Sequence, residues 1–470
     1  MPEFEIAARP RTLVFLHGLF GCELLADDRR DPVWPIGLWD LIRDRYPDAD
    51  QLLRDDLKPG KIINKISGVF PVYGPLIDDF EACGFRTEAS SQQRLLIFTY
   101  DWRRDLSESA AKLAAELASV PVDHTIDIVA HSLGGLLARY VLEADAHANA
   151  TWLPQVSRLV TIATPHYGAP RAIYRAAGRE KVFGIAPDLF KQMADDPLFP
   201  SGYQTIPPRG SFRVLSDDPT TSWAGERDPH TPEFIARHGL SEANMKANQR
   251  FHAQLDFRAR RKPHIEYYFY GAADQKTANR LQEDGRDLDL NFDKDGGDGL
   301  VPANSSVIPG IQGEYIHGDH GKMFNRESFF RRLSKVLDIS KHGISEEAYE
   351  SGPAVEATSN QLSLILPSGV INAGSLYPVM LEFETGQSDL DVTLSAVLQP
   401  DWDDDPADKR RSSDRADAVE SLVYKGPPVR ALRAMFKAPE TPGLYKFEIG
   451  KGYVMTDERS NALIVGRAKP

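Results

Sequence analysis

The stretch IDIVAHSLGGLLARY at residues 126–140 decides the fold. Its apolar start, residues 126–130, is typical of a buried strand, and the pattern that follows is typical of a helix. Between them, AHSLG at residues 130–134 matches the nucleophile-elbow pattern G-x-S-x-G with alanine in the first position. Small residues are needed there because the turn is tight and holds the serine in a strained conformation. The stretch therefore predicts Ser132 as a nucleophile, with the N–H of Leu133 as one donor to an oxyanion.

A second donor is predicted where the first strand ends. The run TLVFL at residues 12–16 predicts that strand, and HGLFG follows at residues 17–21. In folds built around such an elbow, the backbone after a His-Gly pair lies opposite the nucleophile. The spacing favours Leu19 as the second donor of an oxyanion hole, with Phe20 as the alternative.

Two aspartates compete for the role of the acid that orients a histidine. A serine of this kind is followed in the chain first by an acid and then by a histidine. Asp274 lies just after the strand-like run HIEYYFY at residues 264–270, and Asp298 lies in GDGLVP at residues 297–302. Position alone leaves both open, since either side chain could simply cap a loop.

Two histidines compete for the general base in the segment YIHGDHGKMF at residues 315–324. His320 lies later in the loop and nearer to the helical pattern of residues 325–337, where such a base is expected, so we favour it over His317. It would take the proton of the serine hydroxyl while an aspartate fixes its tautomer. His131, beside the serine, is expected to face elsewhere and is assigned no catalytic role.

Alternating strand and helix patterns predict how the chain is organised. Short apolar runs separated by helical patterns are typical of a parallel sheet covered on both faces, so we predict an α/β fold of the α/β-hydrolase class. A segment too long for an ordinary loop interrupts the pattern, and short alternating runs near the C-terminus indicate an all-β sandwich. The predicted parts are an α/β-hydrolase domain at residues 1–343 with a cap or lid at about 171–260, a linker at 344–359, and a β-sandwich accessory domain at 360–470.

Composition and charge limit the partners. The 55 Lys and Arg against 68 Asp and Glu give a formal charge of −13, which argues against binding nucleic acid through a general positive field. The sequence shows neither a signal-like segment nor an apolar run long enough to span a bilayer. Cys22 and Cys83 are the only cysteines, so we expect a cytoplasmic protein with free thiols. The charged run at residues 401–414 is expected to be solvated, and the sequence indicates no metal and no cofactor.

Eight short segments together resemble the lecithin:cholesterol acyltransferase-like family, which includes lysosomal phospholipase A2 and bacterial lipase or acyltransferase homologues. They are HGLFGCEL (17–24), VWP (33–35), YGPLIDDFEACGF (73–85), TYDWRRD (99–105), AHSLGG (130–135), IATPHYGAP (162–170), GDGLVP (297–302) and HGKMF (320–324). The resemblance implies an α/β-hydrolase with Asp298 as the acid, His320 as the base and Leu19 as an oxyanion donor. The region after about residue 355 lies outside it.

By the same resemblance, the expected reaction is cleavage of acyl esters of lipids through an acyl-serine intermediate, as a lipase, phospholipase A or acyltransferase. A carboxylesterase or thioesterase acting on soluble esters is the alternative among enzymes. A binding or assembly protein with an idle hydrolase domain is the alternative of another class. Expected partners are the acyl-ester substrate, a transient membrane contact and a protein bound by the C-terminal domain. Because the linker has few residues able to pack, a chain ending near residue 343 is expected to remain active on short esters.

Overall fold

The computed structural model describes most of the chain. The described residues are 10–35, 37, 40, 46–66, 70–216, 226–341, 361–366, 370–398, 418–450, 453–455 and 462–466. The predicted linker at 344–359 and the charged run at 401–414 lie outside them. None of the helices in this part of the chain is both long and apolar enough to cross a membrane.

A six-stranded sheet forms the centre of the fold. In chain order its strands are β1 (Arg11–Leu16), β2 (Gln93–Phe98), β3 (Thr125–His131), β4 (Val156–Ile162), β5 (Glu266–Gly271) and β6 (Gln312–Tyr315). Across the sheet they run in the order β6-β5-β4-β3-β1-β2, and every neighbouring pair is parallel. The carboxyl ends of all six strands therefore meet at one edge, which is where ligands bind in open parallel sheets. The α/β-hydrolase class predicted from the sequence is confirmed.

Helices cover both faces of this sheet. Because successive side chains of a strand point to opposite faces, the apolar runs of β1, β3 and β4 fill two separate clusters. Near-continuous apolar strands are what a sheet buried on both faces requires. The covering helices are Gly74–Ala82 and Glu327–Leu337 on one face, and Leu106–Ala118 and Leu133–Glu143 on the other. The smaller elements of this half are strands Cys22–Leu25, Lys58–Ile62, Lys65–Ile66 and Phe70–Pro71, helix Ala303–Ser306, and 3-10 helices Ala49–Leu53, Asp145–His147 and Leu153–Gln155.

Between β4 and β5 the regular elements of the described residues are mainly helices. The helices are Pro170–Ala176, Pro187–Asp195, Ser201–Gln204, Pro232–His238, Glu242–His252 and Phe257–Arg260, with short strands at Val214–Ser216 and Glu226–Arg227. Three of these helices begin with proline, whose fixed φ suits the first helical position. The cap predicted at about 171–260 falls on this helical segment, and its limits stay a prediction.

A long hairpin follows β5, and the sequence pattern does not predict it. Its strands, Gln275–Asp284 and Asp287–Gly297, pair in an antiparallel arrangement with their outer ends opposite each other. Asp274 and Asp298 therefore flank the base of one hairpin, just past the carboxyl end of β5. Both aspartates follow β5 and precede the two histidines, so the expected order of serine, acid and histidine along the chain fits either one.

The C-terminal region is rich in β-structure and has its own apolar core. Its strands are Gln361–Ile365, Val370–Asn372, Leu376–Leu398, Ala418–Lys437, Gly443–Ile449, Val454–Met455 and Ala462–Gly466. Hydrogen bonds join them into one sheet around a cluster that includes Leu381, Leu394 and Phe447. The β character predicted for this region is confirmed, whereas the domain limits at residues 343 and 360 stay predictions.

This C-terminal region packs against the hydrolase half. Leu444 and Ile464 are 1% and 0% exposed, and both belong to the apolar cluster that includes one face of the central sheet. Glu382 accepts a hydrogen bond from Arg326 at 3.3 Å, next to the helix Glu327–Leu337. The two halves therefore share part of their core.

Candidate active site

The predicted elbow has the backbone that a tight strand-to-helix turn requires. Ser132 lies between β3 and the following helix with φ 53° and ψ −121°, a conformation that L-residues rarely adopt. The two residues after Leu133 have no room for a side chain. A Cβ on Gly134 would lie 2.5 Å from the carbonyl oxygen of His17, and one on Gly135 would lie 1.9 Å from a side-chain oxygen. The glycines therefore let the helix begin close behind the serine.

Three of the predicted residues form a continuous hydrogen-bonded chain. His320 Nε2 lies 2.9 Å from Ser132 Oγ, and His320 Nδ1 lies 2.8 Å from Asp298 Oδ2. The other oxygen of Asp298 accepts the backbone N–H groups of Leu300 and Val301 at 2.9 and 2.7 Å. As a carboxylate, Asp298 accepts the proton on Nδ1, which leaves Nε2 to accept the serine hydroxyl.

Asp274 and His317, the alternatives from the sequence, form a separate pair. His317 Nδ1 lies 3.4 Å from Asp274 Oδ2, and Asp274 Oδ1 accepts the N–H of Gly318 at 3.2 Å. His317 Nε2 lies 3.7 Å from Glu382 of the C-terminal region. Hydrogen bonding to Asp274, with a smaller contribution from Glu382, raises the pKa of His317 despite its partial burial. This pair is directed to the C-terminal region, and no contact joins it to Ser132 within the described residues.

The loop after β1 holds the predicted oxyanion donor Leu19. The loop turns tightly, since the N–H of Gly21 donates to the carbonyl of Gly18 at 3.1 Å, and Phe20 has a positive φ of 63°. Leu19 and Leu133 line the same cavity as the serine. Neither backbone N–H has a protein acceptor in the part of the chain that the structure describes. Both groups are thus available to a bound oxyanion, and their role stays a prediction.

The buried side chain of His17 holds this loop in place through hydrogen bonds to two backbone groups. Its Nε2 accepts the N–H of Tyr100 at 3.3 Å, so Nδ1 carries the proton and donates to the carbonyl of Gly18 at 2.8 Å. The ring also stacks on Tyr100 with centroids 4.3 Å apart. Burial lowers the pKa of His17 to about 4, so the ring is neutral near pH 7. Its role is to hold the loop through neutral hydrogen bonds.

A buried chain of polar groups links this loop to the loop of His320. The hydroxyl of Tyr73 accepts the N–H of Gly18 at 2.9 Å and donates to His131 Nδ1 at 2.8 Å. His131 Nε2 then donates to the backbone carbonyl of His320 at 3.0 Å. Burial lowers the pKa of His131, which keeps its ring neutral. His131 therefore positions the histidine loop, a role for which the sequence gives no signal because the partners are far apart along the chain.

A cavity of ≈ 610 Å³ opens at Ser132. Pockets of roughly 300–1,000 Å³ hold small organic ligands. The walls are mainly apolar, and Phe183, which is 47% exposed, packs edge-on against Phe20 with centroids 5.1 Å apart. From the C-terminal region, Ile464 packs beside the cavity with its side chain completely buried. An acyl chain would find apolar contacts on several sides of this cavity.

Comparisons with known proteins find only distant similarity. A family model described as a domain of unknown function, DUF7379, matches residues 80–175. No curated protein matches the chain. Among solved structures, the Tle4-Tli4 complex is 14% identical at a TM-score of 0.43, covering 67% of this chain and 92% of that chain. The product of the gene lin2722 from Listeria innocua is 12% identical at a TM-score of 0.30, covering 71% and 96%.

A third solved structure has an enzymatic description. The metagenomic carboxyl esterase MGS0156 is 15% identical at a TM-score of 0.28, covering 67% of this chain and 66% of that chain. Such distant likenesses carry no argument about activity. The function therefore has to be argued from the geometry around Ser132.

Proposed function

We propose that the protein cleaves acyl esters through an acyl-Ser132 intermediate. The observation that carries the proposal is the continuous contact from Ser132 Oγ through the ring of His320 to the carboxylate of Asp298, at 2.9 and 2.8 Å. This chain begins at a strained elbow and opens into a mainly apolar cavity. A nucleophile, a base and a group that orients the base are the parts that acyl transfer requires.

In the first half of the reaction, Ser132 Oγ attacks the ester carbonyl carbon while His320 Nε2 takes the hydroxyl proton. The carbonyl oxygen becomes an oxyanion, which the N–H groups of Leu19 and Leu133 stabilise. Asp298 stabilises the imidazolium that forms. The intermediate collapses as the bond to the leaving oxygen breaks, and His320 returns the proton to that oxygen. The products are a free alcohol and an acylated serine.

In the second half, water or an alcohol attacks the acyl carbon. His320 takes the proton of the attacking hydroxyl, the bond from carbon to Ser132 Oγ breaks, and the serine regains its proton from the histidine. Water gives a carboxylic acid, which is hydrolysis. An alcohol gives a new ester, which is acyl transfer.

The sequence resemblance and the apolar cavity together favour lipid substrates, so we infer a lipase, phospholipase A or acyltransferase. A carboxylesterase or thioesterase on soluble esters is the alternative. The two are distinguished by rates on p-nitrophenyl esters of rising chain length and on phospholipid vesicles. A maximum at acetate with no release of fatty acid from vesicles would favour the alternative.

Labelling by a fluorophosphonate tests the nucleophile directly. Ser132 Oγ should displace fluoride from phosphorus, and mass spectrometry should find the adduct on the peptide that contains residue 132. Ser132→Ala should not label. Ser109→Ala is a matched control, because Ser109 is also buried, 3% exposed against 7% for Ser132, but lies on the helix Leu106–Ala118 away from the cavity. Full labelling of Ser132→Ala would contradict the assignment.

The shared core changes the expected result of shortening the chain. A chain ending at residue 343 would uncover the apolar surface that Leu444 and Ile464 bury, and it would remove the packing of Ile464 beside the cavity. Each buried aliphatic side chain contributes about 1.5–3 kcal/mol. We expect a lower Tm and a larger loss of rate on p-nitrophenyl dodecanoate than on p-nitrophenyl acetate. An unchanged Tm with unchanged rates on both esters would show that the two parts are separable, as the linker composition suggested.

A further inference from the structure

A charged cluster of Arg171, Arg175 and Glu180 lines the same cavity. Arg171 and Arg175 are four residues apart on the helix Pro170–Ala176, so their side chains lie on one face of it. Both bind the carboxylate of Glu180, Arg171 through Nε at 2.9 Å and Arg175 through Nε at 2.9 Å. All three residues line the cavity.

The cluster is connected to the loop that carries Asp298. Arg171 Nη1 donates to the carbonyl of Gly299, the next residue in the chain, at 2.9 Å. Arg171 thus has all three of its nitrogens engaged, because Nε and Nη2 bind Glu180. A ligand group bound at this cluster would lie in the same cavity as the reacting ester.

Arg175 is the member of the cluster whose terminal nitrogens can donate hydrogen bonds to a ligand. Its Nε binds Glu180, and among the described residues its two terminal nitrogens have no protein acceptor. Its side chain is only 19% exposed. Burial lowers the pKa of Arg175 although Glu180 acts in the opposite direction. A partly buried guanidinium gains when an acceptor on a ligand binds the donors that no protein atom uses.

The charge of the cluster favours an anionic acceptor. Two guanidinium groups share one carboxylate, which leaves a charge of about +1 in a cavity of low polarity. Lys181 and Asp319 also line the cavity and cancel in formal charge. Asp298 also lines the cavity, so the formal charges of the whole lining sum to zero and the excess of +1 is local to the cluster. Asp298 is held by His320 and two backbone N–H groups rather than by the cluster. The planar fork of an arginine matches the two oxygens of a carboxylate or phosphate.

We propose that Arg175 binds an anionic group of the ester, a phosphate or a carboxylate, so that the substrate is an anionic acyl ester. Glu180 and Arg171 position the guanidinium, and the apolar walls take the acyl chain. This inference rests on the proposed function, because it names the substrate of the same cavity.

Two matched pairs of esters test the inference with the full-length protein. Mono-p-nitrophenyl adipate and p-nitrophenyl hexanoate differ by a carboxylate at the end of the acyl chain. Lysophosphatidate and monoacylglycerol of equal chain length differ by a phosphate on the alcohol. We expect kcat/KM to be about 10- to 100-fold higher for the anionic member of one pair. The pair that responds shows whether the anion lies on the acyl or the alcohol side.

Arg175→Gln should lower the ratio of the two kcat/KM values, anionic over neutral, by about the same 10- to 100-fold. Arg175→Lys should restore only part of the ratio, because an ammonium keeps the charge but not the fork. Arg179→Gln is the matched control. Arg179 follows the same helix, lies outside the cavity and pairs with Asp287 at 3.4 Å, so its loss should leave the ratio unchanged.

A binding measurement without turnover separates this inference from the proposed function. Mono-octyl phosphate and octanoate are titrated calorimetrically into Ser132→Ala and into the Ser132→Ala, Arg175→Gln double variant. At least one anion should bind about 10- to 100-fold more weakly to the double variant. Equal affinity in both proteins, or an equal loss of kcat/KM on neutral and anionic esters in Arg175→Gln, would overturn the inference. Anion binding that depends on Arg175 in a protein that cleaves no ester would instead count against the proposed function.

Discussion

Replacing Ser132 or His320 by alanine is expected to lower kcat for ester hydrolysis by about 10⁶-fold in either case. The serine supplies the attacking oxygen and the histidine accepts its proton, across the 2.9 Å contact between Oγ and Nε2. Because the two side chains act as one unit, the double variant should be no slower than either single variant. Rates on p-nitrophenyl butyrate, measured at high protein concentration, check all three values.

His317→Ala is the matched control for the base. His317 lies in the same loop as His320, but its contacts are with Asp274 and Glu382 rather than with the serine. The variant should keep most of the activity. Equal losses from His317→Ala and His320→Ala, in proteins with the wild-type Tm, would contradict the choice of His320.

The strands of the sheet could be predicted from the sequence where both of their faces are buried, because such strands are continuous apolar runs. The apolar runs at 12–16 and 126–130 lie within β1 and β3, because a strand covered by helices on both faces needs apolar side chains at nearly every position. β6 lies at the edge of the sheet, reads QGEY and is mostly exposed, so it has no apolar run to detect. The hairpin after β5 is also largely polar, so its sequence could not be distinguished from that of a loop.

In the candidate site, residues set by local backbone geometry could be predicted from the sequence, whereas residues set by contacts between distant segments could not. The elbow is local, since the turn at Ser132 leaves no room for side chains at Gly134 and Gly135, two and three residues further along the chain. The contacts of His131 and Tyr73, and the packing of Ile464 beside the cavity, join segments far apart in the chain. Such contacts arise from tertiary packing, so no local pattern in the sequence predicts them. The same applies to the cluster of Arg171, Arg175 and Glu180, because only the folded chain shows that all three line the cavity.

Asp298→Asn is expected to lower kcat by about 10⁴-fold. In the native protein, Asp298 Oδ1 accepts the N–H groups of Leu300 and Val301, while Oδ2 accepts the proton of His320 Nδ1. An asparagine would keep its carbonyl oxygen toward the two backbone donors and turn its amide N–H₂ toward the histidine. His320 would then carry its proton on Nε2, where it cannot accept the hydroxyl proton of Ser132.

Asp274→Asn provides the matched comparison, because Asp274 and Asp298 flank the base of the same hairpin. Asp274 accepts the N–H of Gly318 and contacts His317, so its replacement leaves the hydrogen bonds of Ser132 in place. Most of the activity should remain. The two variants are compared by kcat on one soluble ester and by the rate of fluorophosphonate labelling, both of which depend on removal of the serine proton. A 10⁴-fold loss in Asp274→Asn with an active Asp298→Asn would assign the acid to Asp274.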